Sequence, residues 1–201
     1  MVATLAFWYE FASTYSYPAA LRLEQVAAAA GVEIEWHPFL LGPILARQGW
    51  NDSPFNLFPA KGSYMWRDIE RVCAREGLPF RRPSAFPRNS LLAARAALVA
   101  AEENWCGEFS RAVYRANFVA DRDIADPKVI GAIIDELGRS SAAVLARAAT
   151  PAIKDRLRAQ TDEAMARGVF GAPSFTVGNE LFWGNDRLEQ AVEWAKEGRA
   201  A

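Results

Sequence analysis

Two reactive residue types are scarce in this chain: among 201 residues there is one histidine, His37, and two cysteines, Cys73 and Cys106. A single histidine excludes any zinc site that needs two imidazole ligands and leaves one candidate for a Ser-His pair. His37 is followed by Pro38 at the end of an apolar segment, and it reads as structural. The cysteines stand far apart, outside C-x-x-C spacing and within helical patterns, so both read as small buried hydrophobes. There is no G-x-G-x-x-G, no Walker loop and no H-E-x-x-H. Charge of one sign is missing as well: 23 Lys plus Arg stand against 24 Asp plus Glu, a formal net charge of -1. That balance supplies no field for nucleic acid or an anionic membrane. No apolar run approaches the ~20 residues that span a bilayer. The first residues carry no basic n-region and reach Glu10 early, so no secretory signal is expected and cytoplasm is the expected location. Any chemistry here has to borrow its reactive group.

What is present centres on Phe7-Trp-Tyr-Glu-Phe-Ala-Ser-Thr-Tyr-Ser-Tyr-Pro18. An apolar run over 3–9 predicts a central strand buried on both faces. A polar turn carrying Ser13 follows, and apolar spacing over 14–30 predicts a helix stopped by Gly31. Helix-start amides have no intrahelical partners and lie at the positive end of the dipole, so such a turn can hold a thiolate or carboxylate. The plainer reading makes Ser13 or Thr14 the N-cap of that helix.

Residues 32–37 alternate apolar and polar, predicting a second strand and a right-handed βαβ unit if the two are parallel. From Leu40 to about Thr150 the pattern is helical. Residues 40–48 form a short helix, 49–62 a loop rich in Asn, Ser, Pro and Gly, and 64–76 an amphipathic helix. Residues 78–88 are too proline-dense for regular structure. Helices follow over 90–104, 108–120, 126–138 (with Asp126 and Pro127 at its start) and 140–149. Thr150-Pro151 opens a helix ending at Gly168. Residues 169–177 read as an apolar strand interrupted by Pro173, tolerated at an edge or where a cis X-Pro bond makes a turn. Gly178-Asn179 marks a hairpin to a strand over 180–183. Asp186-Arg-Leu-Glu189 has the form of a capping box for the last helix.

This order is that of an α/β, thioredoxin-like fold with a large all-helical insertion. Residues 1–39 and 150–201 would form the thioredoxin-like part, and 40–149 the helical domain. The stretch from Glu10 to Tyr17 resembles the D-F-x-S-P-Y-S-Y motif of 2-hydroxychromene-2-carboxylate isomerases and the related kappa-class glutathione transferases. Further echoes are His37-Pro-Phe-Leu-Leu-Gly42, Pro59-Ala-Lys-Gly-Ser-Tyr-Met65, Phe86-Pro-Arg-Asn-Ser-Leu-Leu91, Ala116-Asn-Phe118, Asp121-Arg-Asp-Ile124, Gly171-Ala-Pro-Ser-Phe175 and Phe182-Trp-Gly-Asn-Asp-Arg187. They run through essentially the whole chain. Glu10 replaces the family's usual aspartate, Thr14 its proline, and His37 an expected arginine; the first two adjoin the reactive site and make an altered substrate an open question.

The resemblance implies that Ser13 stands where relatives with dithiol chemistry carry a cysteine, and that glutathione brings the missing thiol. A helix start lowers a thiol's pKa from about 8.5, and each unit is worth about 1.4 kcal/mol of preference for the thiolate. Ser13 would donate a hydrogen bond to that thiolate. Pro173 would be a cis-proline presenting Ala172 to the cysteinyl amide, and Asp186 with Gly184 and Asn185 would bind the γ-glutamyl end. Asp186 also reads as a plain N-cap. Phe11, Lys61, Arg88 and Asn89 are the substrate-side candidates, with Phe7, Trp50, Phe55 and Phe58 as possible walls. The implied activity is glutathione-dependent isomerisation of a small aromatic organic acid, by a homodimer if the analogy with such folds holds. The alternatives are a kappa-like transferase or peroxidase and a non-catalytic binding module.

Overall fold

The computed structural model describes residues 3–198; residues 1–2 and 199–201, assigned above to the ends of the thioredoxin-like part, lie outside them. Strand β1 (Thr4–Tyr9) is central, as its unbroken apolar character requires. It pairs in parallel with β2 (Glu33–Pro38) on one side and antiparallel with β3 (Ser174–Val177) on the other. β3 pairs antiparallel with β4 (Glu180–Trp183), so the sheet order is β2-β1-β3-β4. Helix α1 (Ser16–Ala30) makes the crossover between β1 and β2 and ends at Gly31, whose φ of 71° suits a residue without a side chain.

Period-two alternation sorts β1 between two layers. Leu5, Phe7 and Tyr9 face α1, with Phe7 stacked between Tyr9 and Phe175 at ring distances of 5.0 and 5.3 Å. Trp8 faces the opposite way, onto Ala164 of α9 (Pro151–Ala166) and Ile44 of α2 (Leu41–Arg47). His37 stacks on Trp8 at 4.4 Å and bonds Glu35 at 3.2 Å, the structural role expected of it.

Among the described residues only helices separate β2 from β3. After α2 come α3 (Pro54–Leu57), α4 (Pro59–Arg75), α5 (Leu91–Glu102), α6 (Cys106–Phe118), α7 (Pro127–Glu136) and α8 (Ser141–Ala148). Small residues of α5, Ala93 to Ala100, sit in one continuous core with Phe7, Tyr9 and Ile130. Asp126 and Thr150 cap α7 and α9 through their side chains, as their positions before the helices suggested, and Ser140, expected as the first residue of its helix, caps α8 instead. Cys73 and Cys106 are buried and free, with burial pushing their thiols up to about 12 and about 11.

Three boundaries differ from expectation. Residues 49–62 are not one loop: Pro54 and Pro59 sit at helix N1 positions, where a missing N–H costs nothing, and start α3 and α4. The strand at 169–177 begins only after Pro173. The last helix, α10 (Leu188–Lys196), starts after a 3-10 turn at Asn185–Arg187 and has no side-chain cap, so Asp186 is not its N-cap. A side chain at Gly62 would collide with the Phe55 carbonyl where α3 lies on α4. Gly62→Ala is therefore expected to cost about 1–3 kcal/mol and to lower Tm by several degrees in a thermal melt.

Candidate active site

Between Tyr9 and Ser16 the chain makes a tight turn in which the Ser13 amide donates to the Glu10 carbonyl at 3.0 Å. The half-buried Ser13 hydroxyl donates to the Ala172 carbonyl at 2.8 Å and accepts from the Ser16 amide at 3.2 Å. One side chain therefore satisfies an orphan amide of α1 and also faces the strand-entry loop across from it. Thr14 does neither: its hydroxyl donates to the Met65 sulfur at 3.2 Å.

The facing loop is built from Gly171 to Ser174. The Ala172–Pro173 peptide is cis, and the Ser174 hydroxyl donates to the Gly171 carbonyl at 2.9 Å. A side chain at Gly171 would strike the Trp183 indole, so glycine lets that ring close over the loop. Beyond β4, the Gly184 amide donates to the Pro173 carbonyl at 3.0 Å. Gly184 has φ 114°, and the Asp186 carboxylate folds in where its side chain would be. The Asp186 side chain is 67% exposed and pairs with Arg187 at 3.1 Å. Asn185 is buried, and its oxygen accepts from Arg22 at 3.3 Å, which holds the turn against α1.

These groups open into a cavity of 1280 Å³ whose other wall comes from the helical segment. Lys61, Asp68, Val72 and Arg75 line it from one face of α4, at spacings that put them on the same stripe. Lys61 is exposed and stands 4.7 Å over the Phe58 ring, with no carboxylate paired to it among the described residues. Asn89 uses its oxygen to accept from the Leu91 amide at 2.9 Å, leaving its NH2 group as a donor. Leu40, Leu41, Trp50 and Phe55 supply apolar surface. Among the described residues no group of three metal-ligating side chains is assembled, and no helix is long and apolar enough to cross a membrane.

The DsbA-like thioredoxin domain model matches residues 4–194. The chain is 30% identical over 190 residues to the 2-hydroxychromene-2-carboxylate isomerase of Sphingobium xenophagum, covering 94% of this chain and 96% of that protein. It belongs to that isomerase family of DsbA-like thioredoxin-fold proteins. A solved structure of a 2-hydroxychromene-2-carboxylate isomerase superposes with TM-score 0.86 at 26% identity, covering 98% of this chain and 95% of the other. Human glutathione S-transferase kappa 1 is 26% identical over 201 residues, covering 92% of this chain and 88% of that one.

Of the residues expected at the family's site, Ser13, Lys61, Asn89, Ala172, Pro173, Gly184, Asn185 and Asp186 all border the cavity. Phe11 does not. Its ring lies in the core against Tyr9 and Tyr114, each at 5.3 Å, and it touches no ligand space. Arg88 reaches the cavity wall, but both terminal nitrogens of its guanidinium are engaged elsewhere. It donates to the Asn117 side-chain oxygen at 3.0 Å, to the Arg122 carbonyl at 2.8 Å, and to Ser84 and Asp121. A buried arginine so occupied is a brace for the loops around it, not a free carboxylate receptor.

Three cavity residues were missed by sequence reasoning. Tyr15 donates to Asp68 at 2.8 Å; burial first, then the Asp68 and Asp186 charges, raise its phenol well above the usual range. The heptad spacing of Lys61 and Asp68 on α4 was the available signal. Glu10, noted only as a departure, is buried in the cavity wall. Its carboxylate accepts from the Ala12 amide at 2.9 Å and from the Ser90 hydroxyl. Burial pushes its pKa from 4.5 to about 7, against the pull of the Ser90, Ala12 and Ser13 hydrogen bonds. With the folded pKa raised, its contribution to stability is full below pH 4.5 and is lost as pH rises through about 7.

Proposed function

We propose that the chain is a glutathione-dependent cis-trans isomerase of 2-hydroxychromene-2-carboxylate and trans-o-hydroxybenzylidenepyruvate, or of a closely related aryl pyruvate. The observation that carries this reading is the Ser13 hydroxyl, set at a helix start 2.8 Å from the carbonyl that precedes a cis-proline. The donor set fits a short thiol peptide. The Ala172 backbone offers strand-like pairing to a cysteinyl amide. Asp186 and Asp68 offer carboxylates to the γ-glutamyl ammonium, and the Ser13 hydroxyl and the α1 start favour sulfur as an anion. When bound, glutathione supplies a thiol group that adds to a conjugated carbon and leaves again unchanged. Lys61 and the Asn89 NH2 hold the carboxylate of the organic acid, and Trp50 and Phe55 flank its ring.

The test is ultraviolet-monitored interconversion of the two isomers, with and without glutathione, followed by titration of free thiol. Glutathione-dependent interconversion with no thiol lost is the expected result. Stoichiometric thiol loss would assign the site to a transferase instead, and no glutathione-dependent turnover of either kind would leave a binding module.

A further inference from the structure

Glu10 is a buried cavity-lining carboxylate whose chemistry the reading above leaves unused. Among the described residues the hydrogen bonds its carboxylate receives come from neutral donors, the Ala12 amide and the Ser90 hydroxyl, while the Ser13 amide donates to its backbone carbonyl. Among the described residues no cation is paired with it. A buried carboxylate without a counter-ion, one residue-turn from a reactive position, is the arrangement that acid-base chemistry uses.

A thiol bound against Ser13 has to lose a proton, and few groups can take it. Ser13 is a neutral donor and Lys61 a cation. His37 stacks on Trp8 and does not border the cavity. Asp186 is solvated and paired with Arg187, Asp68 is bonded by Tyr15, and Asp52 is exposed and accepts from the Ser53 amide and the Asn56 side chain. Tyr114, on α6, donates to the Glu10 carbonyl at 3.0 Å and is pushed up by burial, so it competes for no proton. Arg88, two residues before Ser90, is tied to Asp121.

We propose that Glu10 is the proton acceptor that generates the glutathione thiolate, an assignment that rests on the glutathione-dependent reading of this site. Glu10 takes the proton directly or through one water: the S–H bond breaks, an O–H bond forms on the carboxylate, and the electron pair stays on sulfur. It returns the proton when the thiol leaves, so the exchange closes without another reactant. Two anions in one desolvated site repel each other, and the site therefore keeps a single negative charge, on sulfur or on Glu10. Its raised basicity, near neutrality, brings it within reach of a thiol of about 8.5.

The test compares wild type with Glu10→Gln, which preserves shape and the acceptor for the Ala12 amide while its NH2 donates to the Ser90 oxygen, and with Glu10→Asp, which preserves the carboxylate. Proton release on glutathione binding is measured calorimetrically at about pH 8 in buffers of different ionisation heats, alongside thiolate absorbance. Wild type is expected to form thiolate while releasing almost no proton. Glu10→Gln should release most of one proton per glutathione bound, and Glu10→Asp should return toward wild type. Equal release from wild type and Glu10→Gln overturns the assignment and leaves the glutathione site standing. No glutathione bound by wild type overturns both. Should Glu10→Gln fail to fold, the ligand-free wild-type protein decides: its Ala12 amide resonance must titrate between about pH 5 and 9, and a flat response overturns the assignment.

Discussion

Ser13→Ala is expected to lower glutathione-dependent turnover about 10²- to 10³-fold, the usual loss for removing one hydrogen-bond donor from a developing or held anion. The size follows from what the hydroxyl does in the fold. It bridges the α1 start and the Ala172 carbonyl, at 3.2 and 2.8 Å, whereas the neighbouring Thr14 hydroxyl is turned to the Met65 sulfur. The same change removes a capping interaction with the Ser16 amide, worth about 1 kcal/mol. A Tm loss of about 2–4 °C would thus accompany the variant and cannot account for the fall in rate. Steady-state kinetics with a glutathione binding isotherm separates the two. Turnover should collapse while the peptide, with its proposed partners Ala172 and Asp186 intact, binds within a few-fold of wild type. Unchanged turnover in Ser13→Ala would remove the thiolate role from this residue.

Arg88→Met should produce the largest stability loss, about 3 kcal/mol, read as a drop in Tm of about 6–12 °C. The side chain is 4% exposed, and it satisfies the Asn117 amide oxygen and the Arg122 carbonyl from the interior. Methionine fills much of the volume but leaves those acceptors without donors, which costs more than an absent interaction would. Asp121 responds too. Donation from the Ser84 amide, and then from Arg88, holds its carboxyl at about 2, below the ordinary 3.8. A depressed carboxylate stabilises the fold above pH 3.8 and loses that effect as pH falls toward 2, so the variant's acid sensitivity should shrink. If Arg88 were a substrate receptor, Arg88→Met would instead raise KM at nearly constant Tm.

Local chemistry made much of this protein legible from its residues. The strand Thr4–Tyr9, the helix stopped by Gly31, the capped starts at Asp126 and Thr150, and the hairpin at Gly178-Asn179 are decided by neighbours within a few positions. The same holds for the Ser13 turn and the Ala172-Pro173 loop, whose spacing and resemblance marked them before any contact was known. Prolines misled where one residue type serves two purposes: Pro54 and Pro59 open helices in a stretch whose composition reads as loop.

What tertiary structure alone decided is which side chains face ligand and which face protein. Phe11 and Phe55 are alike in sequence, yet Phe11 is packed on Tyr114 and Phe55 borders the cavity. Arg88 and Lys61 are both cations in family-like motifs, yet one meets Asp121, 33 residues away, and the other stands over the Phe58 ring. Glu10 reads only as a departure from the family's aspartate until the fold buries it beside Ser90, 80 residues on, and removes the water that would keep it an ordinary acid. Burial and partnership are properties of the closed chain: desolvation and long-range donors reach a residue only once distant segments pack around it, and no local pattern encodes them.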